Sequence, residues 1–214
     1  MTEQPHSVLI LALLVCVAGV GCRTTTSSHY QPQDPPTYAR VWDQAIYLRR
    51  VADLRTNAEP NVFYRHYQDE ARYDRSIRFI VHEAVLQELI RAGLRSARMA
   101  PEAYLECDVL EFKADVTEHE TGSPDLELAL VIRFRWLVPE SDQVLAENIR
   151  RLERRRVLGS ADVVALPFDV EQVQGFGHEL LNDMLPRLIE RELTLNSWLA
   201  ERSQARTVLE QATE

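Results

Sequence analysis

Cysteine is scarce in this chain. There are three in 214 residues. Cys16 and Cys22 lie near the start, and only Cys107 lies deep in the sequence. One interior thiol excludes an internal disulfide framework unless Cys22 stays free. Cys107 alternates with Leu105 and Val109, so it reads as a small buried hydrophobe; a catalytic thiol would need a neighbouring His and a depressed pKa. Positive charge is also short, with 24 Lys and Arg against 33 Asp and Glu and a net charge of −9. That balance excludes a nucleic-acid role, because phosphate binding needs a concentrated basic surface. No apolar run is long enough for a comfortable membrane helix: Val8 to Gly21 falls short of the roughly 20 residues required. Catalytic motifs are missing as well. His119 sits between Glu118 and Glu120 in a loop with no second His nearby, and His82 and His178 form no i, i+4 pair. Ser123, Ser141 and Ser160 lack a nucleophile-elbow context, and Gly175-Phe-Gly177 is too little for a phosphate loop. These absences point away from an enzyme and away from any cofactor or metal.

What is present begins with the apolar run itself, which ends in Val20-Gly21-Cys22. Its length fits the core of an export signal, although Met1 to Ser7 carry no Lys or Arg and include Glu3, where such signals normally begin positive. A small residue directly before a cysteine resembles the cleavage box of bacterial lipoproteins. That resemblance implies that Cys22 becomes the acylated first residue of the mature chain. Cys16 is the poorer candidate, since Leu14 and Val15 precede it. The alternatives are an uncleaved signal anchor or an ordinary signal with an incidental Cys22. The segment Arg23 to Pro36 is polar and Pro-rich, which predicts a flexible tether. The expected layout is a signal over 1–21, a lipidated cysteine and tether over 22–41, one domain over 42–202 and a polar tail over 203–214. The domain has roughly the size that supports one proper core, and no second linker divides it.

Within the domain, Ala45 to Ala52 and Asn61 to Arg65 read as strands. Ile77, Ile80, Val81, Ala84, Val85 and Leu89 recur at helical spacing, predicting a helix from Ser76 to Ala92 that stops at Gly93. Tyr104 to Val116 is a strand whose apolar phase slips between Val109 and Leu110, the signature of a β-bulge. Leu126 to Leu137 alternates cleanly, with Phe134 and Trp136 on the apolar side. Gln143 to Val157 fits helix or strand, and we read it as a third antiparallel strand. A helix over Asp169 to Ala200 follows, with a kink at Pro186. The predicted architecture is a two-layer α+β domain: a mainly antiparallel sheet of roughly three to five strands with two helices on one face. The cluster Arg150, Arg151, Arg154, Arg155 and Arg156 is either a solvated face or a docking patch for an acidic partner or anionic lipid.

The layout resembles the auxiliary lipoproteins of ABC-type lipid transport systems, partners of Mce-domain proteins. The likeness rests on the cysteine box, the early strand, the extended Val62-Phe-Tyr-Arg65, the helix ending Leu86-Gln-Glu-Leu-Ile-Arg-Ala-Gly-Leu94, the paired strands and the C-terminal amphipathic helix. It implies a non-enzymatic component held in the cell envelope through acylated Cys22. The domain would then lie in the periplasm, with the outer membrane as the expected anchor, and Mce-type or ABC transporter subunits as partners. The alternative is a structural or assembly lipoprotein that binds the cell-wall synthesis or outer-membrane assembly machinery.

Overall fold

The computed structural model describes residues 23–31, 44–56, 58–66, 69–117, 123–158 and 170–201. The signal segment 1–21, Cys22, the His119 loop, Ser160 and the tail 203–214 lie outside the described residues.

The fold is α+β. Among the described residues eight strands form one sheet: β1 (Arg23–Thr26), β2 (Ala45–Asp53), β3 (Val62–His66), β4 (Asp69–Tyr73), β5 (Arg95–Ser96), β6 (Ala103–Thr117), β7 (Asp125–Leu137) and β8 (Val144–Val157). Helix α1 spans Ile77–Arg91, and α2 (Val170–Glu179) runs through a π turn, Leu180–Met184, into α3 (Leu185–Leu195). β6 is the branch strand. β7 pairs antiparallel along one of its edges. On the other edge β2 pairs with its first half, Ile46 opposite Ala103 to Asp53 opposite Val109, and β3 meets it further on, Tyr64 opposite Ala114.

The expected sheet of three to five mainly antiparallel strands is therefore corrected. The sheet has eight strands and is mixed: β1–β4, β2–β5, β2–β6 and β3–β6 are parallel, while β3–β4, β6–β7 and β7–β8 are antiparallel. The strands that were missed, β1, β4 and β5, are short and polar and carry little apolar alternation. The tether is corrected over residues 23–31, and its remainder, 32–41, lies outside the described residues. Arg23–Thr26 is a strand, Thr24, Thr26, Ser28 and Tyr30 are buried, and the segment is clamped. Ser28 N–H donates to Asp74 Oδ1 at 2.9 Å, Arg75 Nε donates to Ser28 Oγ at 2.8 Å, and Tyr30 Oη donates to Glu88 Oε1 at 2.6 Å. These side-chain bonds supply the ordering that composition alone did not predict.

The long elements follow their sequence periods. α1 buries Ile77, Ile80, Val81, Ala84, Val85 and Leu89, and Gly93 takes φ 82°, a left-handed geometry that glycine adopts without strain. In β6 the register slips between Val109 and Glu111, so Leu110 is the extra residue and both halves present their apolar side to the helices. Leu126, Leu128, Leu130, Ile132, Phe134 and Trp136 are all buried on that same side of β7. β8 is a strand, as read. The final helical run is broken where Pro186 enters α3: with no N–H to give, the proline is preceded by the i→i+5 turn Leu180–Met184. Glu192 locks α3 onto the sheet. Its carboxylate, fully buried, accepts from Trp136 Nε1 at 2.9 Å, Asn148 Nδ2 at 3.1 Å, Asn196 Nδ2 at 2.8 Å and Arg150 Nε at 2.7 Å.

Candidate functional site

Where β2 ends and β3 has not yet joined β6, the sheet forks. The register leaves Leu110 to Lys113 of β6 without a neighbouring strand on that side. Arg55, on the connection out of β2, fills the base of the fork with its side chain 6% exposed. Its guanidinium pairs with Asp53 at 2.8 Å and donates to the carbonyls of Val62 at 2.6 Å, Glu59 at 2.8 Å and Phe112 at 3.3 Å. One arginine thus stitches both arms of the fork, because its five donors fit several acceptors at once. Above it lies an open groove of about 450 Å³. Val62, Phe63 and Leu110 give it apolar lining, and Glu59, Arg65, Glu111, Lys113 and Asp115 give it charged lining. That volume falls within the range of small-molecule sites, about 300–1,000 Å³. Thr56 and Tyr64 add hydroxyl side chains to the lining.

The walls are held by charge. Glu70 feels burial, which raises its pKa, but hydrogen bonds from Arg65 and Arg72 outweigh that and hold it below the usual carboxylate range. The Arg65 side chain is half exposed and pairs with Glu70 at 2.6 Å and Glu59 at 3.3 Å. From behind, α2 packs closely: a Cβ added at Gly177 would sit 2.7 Å from Phe63 Cζ. Tyr73 Oη donates to the Gly177 carbonyl at 2.7 Å, and burial drives the Tyr73 pKa well up.

The sheet face opposite the helices carries a second arrangement. A bulge in β2 between Leu48 and Arg50 sends both Arg49 and Arg50 to this face and turns Val51 inward. The register then aligns Arg50, Glu106, Arg135 and Glu147 in one row across four strands. In the next row Asp108 is fully buried beneath three guanidinium groups, Arg133 at 2.6 Å, Arg50 at 3.0 Å and Arg135 at 3.3 Å. Glu106 pairs with Arg49 at 2.6 Å and Arg135 at 2.9 Å. Sequence reading missed this face. Its signal was the broken alternation at Arg49-Arg50-Val51.

The arginines singled out by sequence do not gather on one surface, because β8 alternates them between its faces. Arg150, Arg154 and Arg156 turn to the helix side. There Arg150 pairs with Glu192 at 2.7 Å, Arg154 with Asp183 at 2.6 Å and with Glu179, and Arg156 with Glu179 at 3.4 Å. Arg151 and Arg155 turn outward, to Glu153 and Asp125. Cys107 is fully buried, and burial pushes its thiol well above the usual range, which fits the packing role read from sequence. No group of three metal-ligating side chains occurs among the described residues, and no described helix is long and apolar enough to cross a membrane.

No family model matches the chain, and no curated protein matches it in sequence. Solved structures do. The crystal structure of protein XCC0632 from Xanthomonas campestris, of the DUF330 family model, superposes with a TM-score of 0.57 over 85% of this chain and 99% of its own, at 13% identity. The two chains share a fold. Looser likenesses include a minor lipoprotein from Acinetobacter baumannii, with TM-score 0.39 over 71% of this chain and 94% of that one at 11% identity. Lipoprotein B from Nitrosomonas europaea gives 0.41 over 79% and 97%, also at 11% identity.

Proposed function

We propose that this protein is a non-enzymatic lipoprotein of the bacterial cell envelope that binds a lipid or another hydrophobic substrate and serves as an auxiliary component of an ABC-type transport system. The observation that carries the binding role is the groove at the fork of the sheet, apolar at Val62, Phe63 and Leu110 and charged at Arg65 and Lys113. Such a groove suits an amphiphile whose tail lies on the apolar lining and whose polar headgroup meets cations and carboxylates in equal number, Arg55, Arg65 and Lys113 against Glu59, Glu111 and Asp115. The anchor is Cys22, acylated after cleavage behind Gly21. Each buried acyl methylene contributes about 0.8 kcal/mol, and stable retention takes more than one chain.

The start of the fold sharpens this reading. β1 opens at Arg23, the residue after Cys22, so an acylated Cys22 would hold the sheet close to the bilayer with no spacer. Arg23 lies opposite Glu70, and Glu70 lies opposite Arg65 of the groove wall, so the start of β1 and the groove share one end of the sheet. The test is fractionation of a Cys22→Ala variant together with co-purification. The variant should leave the membrane fraction or stall as a precursor, and the parent chain should bring down a permease, an ATPase or an Mce-type subunit after mild crosslinking. Recovery of Cys22→Ala in membranes at mature mass would overturn the anchor. Capture of cell-wall synthases or outer-membrane assembly proteins instead would overturn the transport role.

A further inference from the structure

β8 is the longest strand whose second edge pairs with no described residue, 14 residues from Val144 to Val157. The other ends of the sheet are the four-residue β1 and the two-residue β5. Long open edges are normally blunted by proline, bulges, brevity or charge, and β8 relies on charge, with Glu147, Arg150, Arg151, Glu153, Arg154, Arg155 and Arg156 along it. β8 contains neither Pro nor Gly, its one bulge, at Leu145, lies at its start, and Ile149 stands 59% exposed at its middle.

We propose that β8 pairs antiparallel with β8 of a second copy, with the two-fold axis through Ile149, so that two sheets become one. A two-fold axis perpendicular to the sheet sets residues of the same face opposite each other, so each register is named by its central residue. Centring on Ile149 places Glu147 opposite Arg151 of the second copy, twice by symmetry, on either side of an Ile149–Ile149 contact. On the helix side it sets Asn148 opposite Arg150. The row Arg50–Glu106–Arg135–Glu147 then continues into Arg151 of the second copy with its alternation of charge unbroken. Neighbouring registers fail on charge. A centre at Arg150 sets Glu147 against Glu153, and a centre at Arg151 sets that arginine against itself. A centre at Leu152 pairs Arg151 with Glu153 but sets Arg150 against Arg154, and a centre at Asn148 pairs no charges. Like charges directly opposite are destabilising and opposite charges stabilising, so only the Ile149 register is favoured throughout. Arg151 is half exposed and turned to Glu153 and Glu111 of its own chain, so it exchanges one exposed partner for another. Arg150 and Arg154 keep Glu192 and Asp183.

A cysteine scan of the full-length protein tests this, with Glu147→Cys, Ile149→Cys, Arg151→Cys and Glu153→Cys made singly and the parent chain as baseline. Only Ile149→Cys should give a disulfide-linked dimer under mild oxidation. At 147 or 151 the two cysteines stand four residues apart along the ladder, about 13 Å, beyond the Cα reach of about 7 Å. Sedimentation should show a dimer that Glu147→Arg weakens on the order of tenfold and that Glu147→Arg with Arg151→Glu restores. Crosslinking that peaks at 151 or 153 would overturn the register. A monomer at every concentration, or no crosslink at any of the four positions, would overturn the pairing.

Discussion

Replacing Asp108 by Asn keeps the shape of the side chain and removes a charge that three arginines share. The carboxylate is fully buried, with Arg133, Arg50 and Arg135 at 2.6, 3.0 and 3.3 Å. Each close contact is worth about 4 kcal/mol of gross attraction at an effective dielectric near 20. Against that stands the desolvation of the carboxylate, which costs several kcal/mol. The guanidinium groups keep part of their hydration, since those side chains are 31%, 47% and 26% exposed. Breaking a fully buried pair costs about 3–5 kcal/mol, so this half-open cluster should lose about 2–4 kcal/mol. In a domain of this size that corresponds to a fall in Tm of about 5–15 °C. Calorimetry of Asp108→Asn, Arg133→Gln and the double variant measures it, and the double-mutant cycle should show a coupling of at least about 1 kcal/mol. A Tm within about 2 °C of the parent, or strict additivity, would refute the claim that Asp108 organises this face.

Three further outcomes follow from the packing. Gly177→Ala should destabilise by about 1–3 kcal/mol, because the new methyl would stand 2.7 Å from Phe63 Cζ, and any relief must push that ring toward the groove; chemical denaturation reads it. Phe134→Ala should cost about 3–5 kcal/mol, since the ring is 1% exposed beneath the helices, and an unmoved melt would place that face outside the core. Acid should loosen the N-terminal segment first. Hydrogen bonds from Ser28 hold Asp74 below its ordinary pKa, and Arg65 and Arg72 do the same for Glu70 against the effect of burial. Both contributions are fully present above the unfolded carboxylate values and are lost as pH falls through the depressed ones. Hydrogen exchange should therefore show Ser28 losing protection below the ordinary carboxylate range while Ile132 in β7 stays protected; simultaneous loss would contradict it.

Much of the central sheet was legible in the sequence. β6, β7 and β8 run in sequence order with antiparallel neighbours, so alternation in one strand is echoed by the next, and even the slip at Leu110 showed as a change of phase. α1 was legible for the same reason, an apolar stripe ended by Gly93. The parallel pairings were not. β2 finds β6 across α1, and β1 finds β4 across some 45 residues, partnerships that leave no mark on local periodicity. Arg-Thr-Thr-Thr reads as tether because its burial comes from clamps supplied by Asp74, Arg75 and Glu88. The groove was hidden as well, because it arises from β2 and β3 parting along β6. The arginine cluster drew notice as a run of charge, yet strand alternation divides it and Glu192, Glu179, Asp183, Glu153 and Asp125 neutralise it.

The groove is most directly tested by photo-crosslinking in intact cells, with a photoreactive residue placed at Leu110 in its lining and, as control, at Met99, which is 88% exposed elsewhere on the molecule. Lipid or another hydrophobic molecule captured at 110 and absent at 99 is the predicted result. Equal capture at both positions, or none at 110, would contradict it.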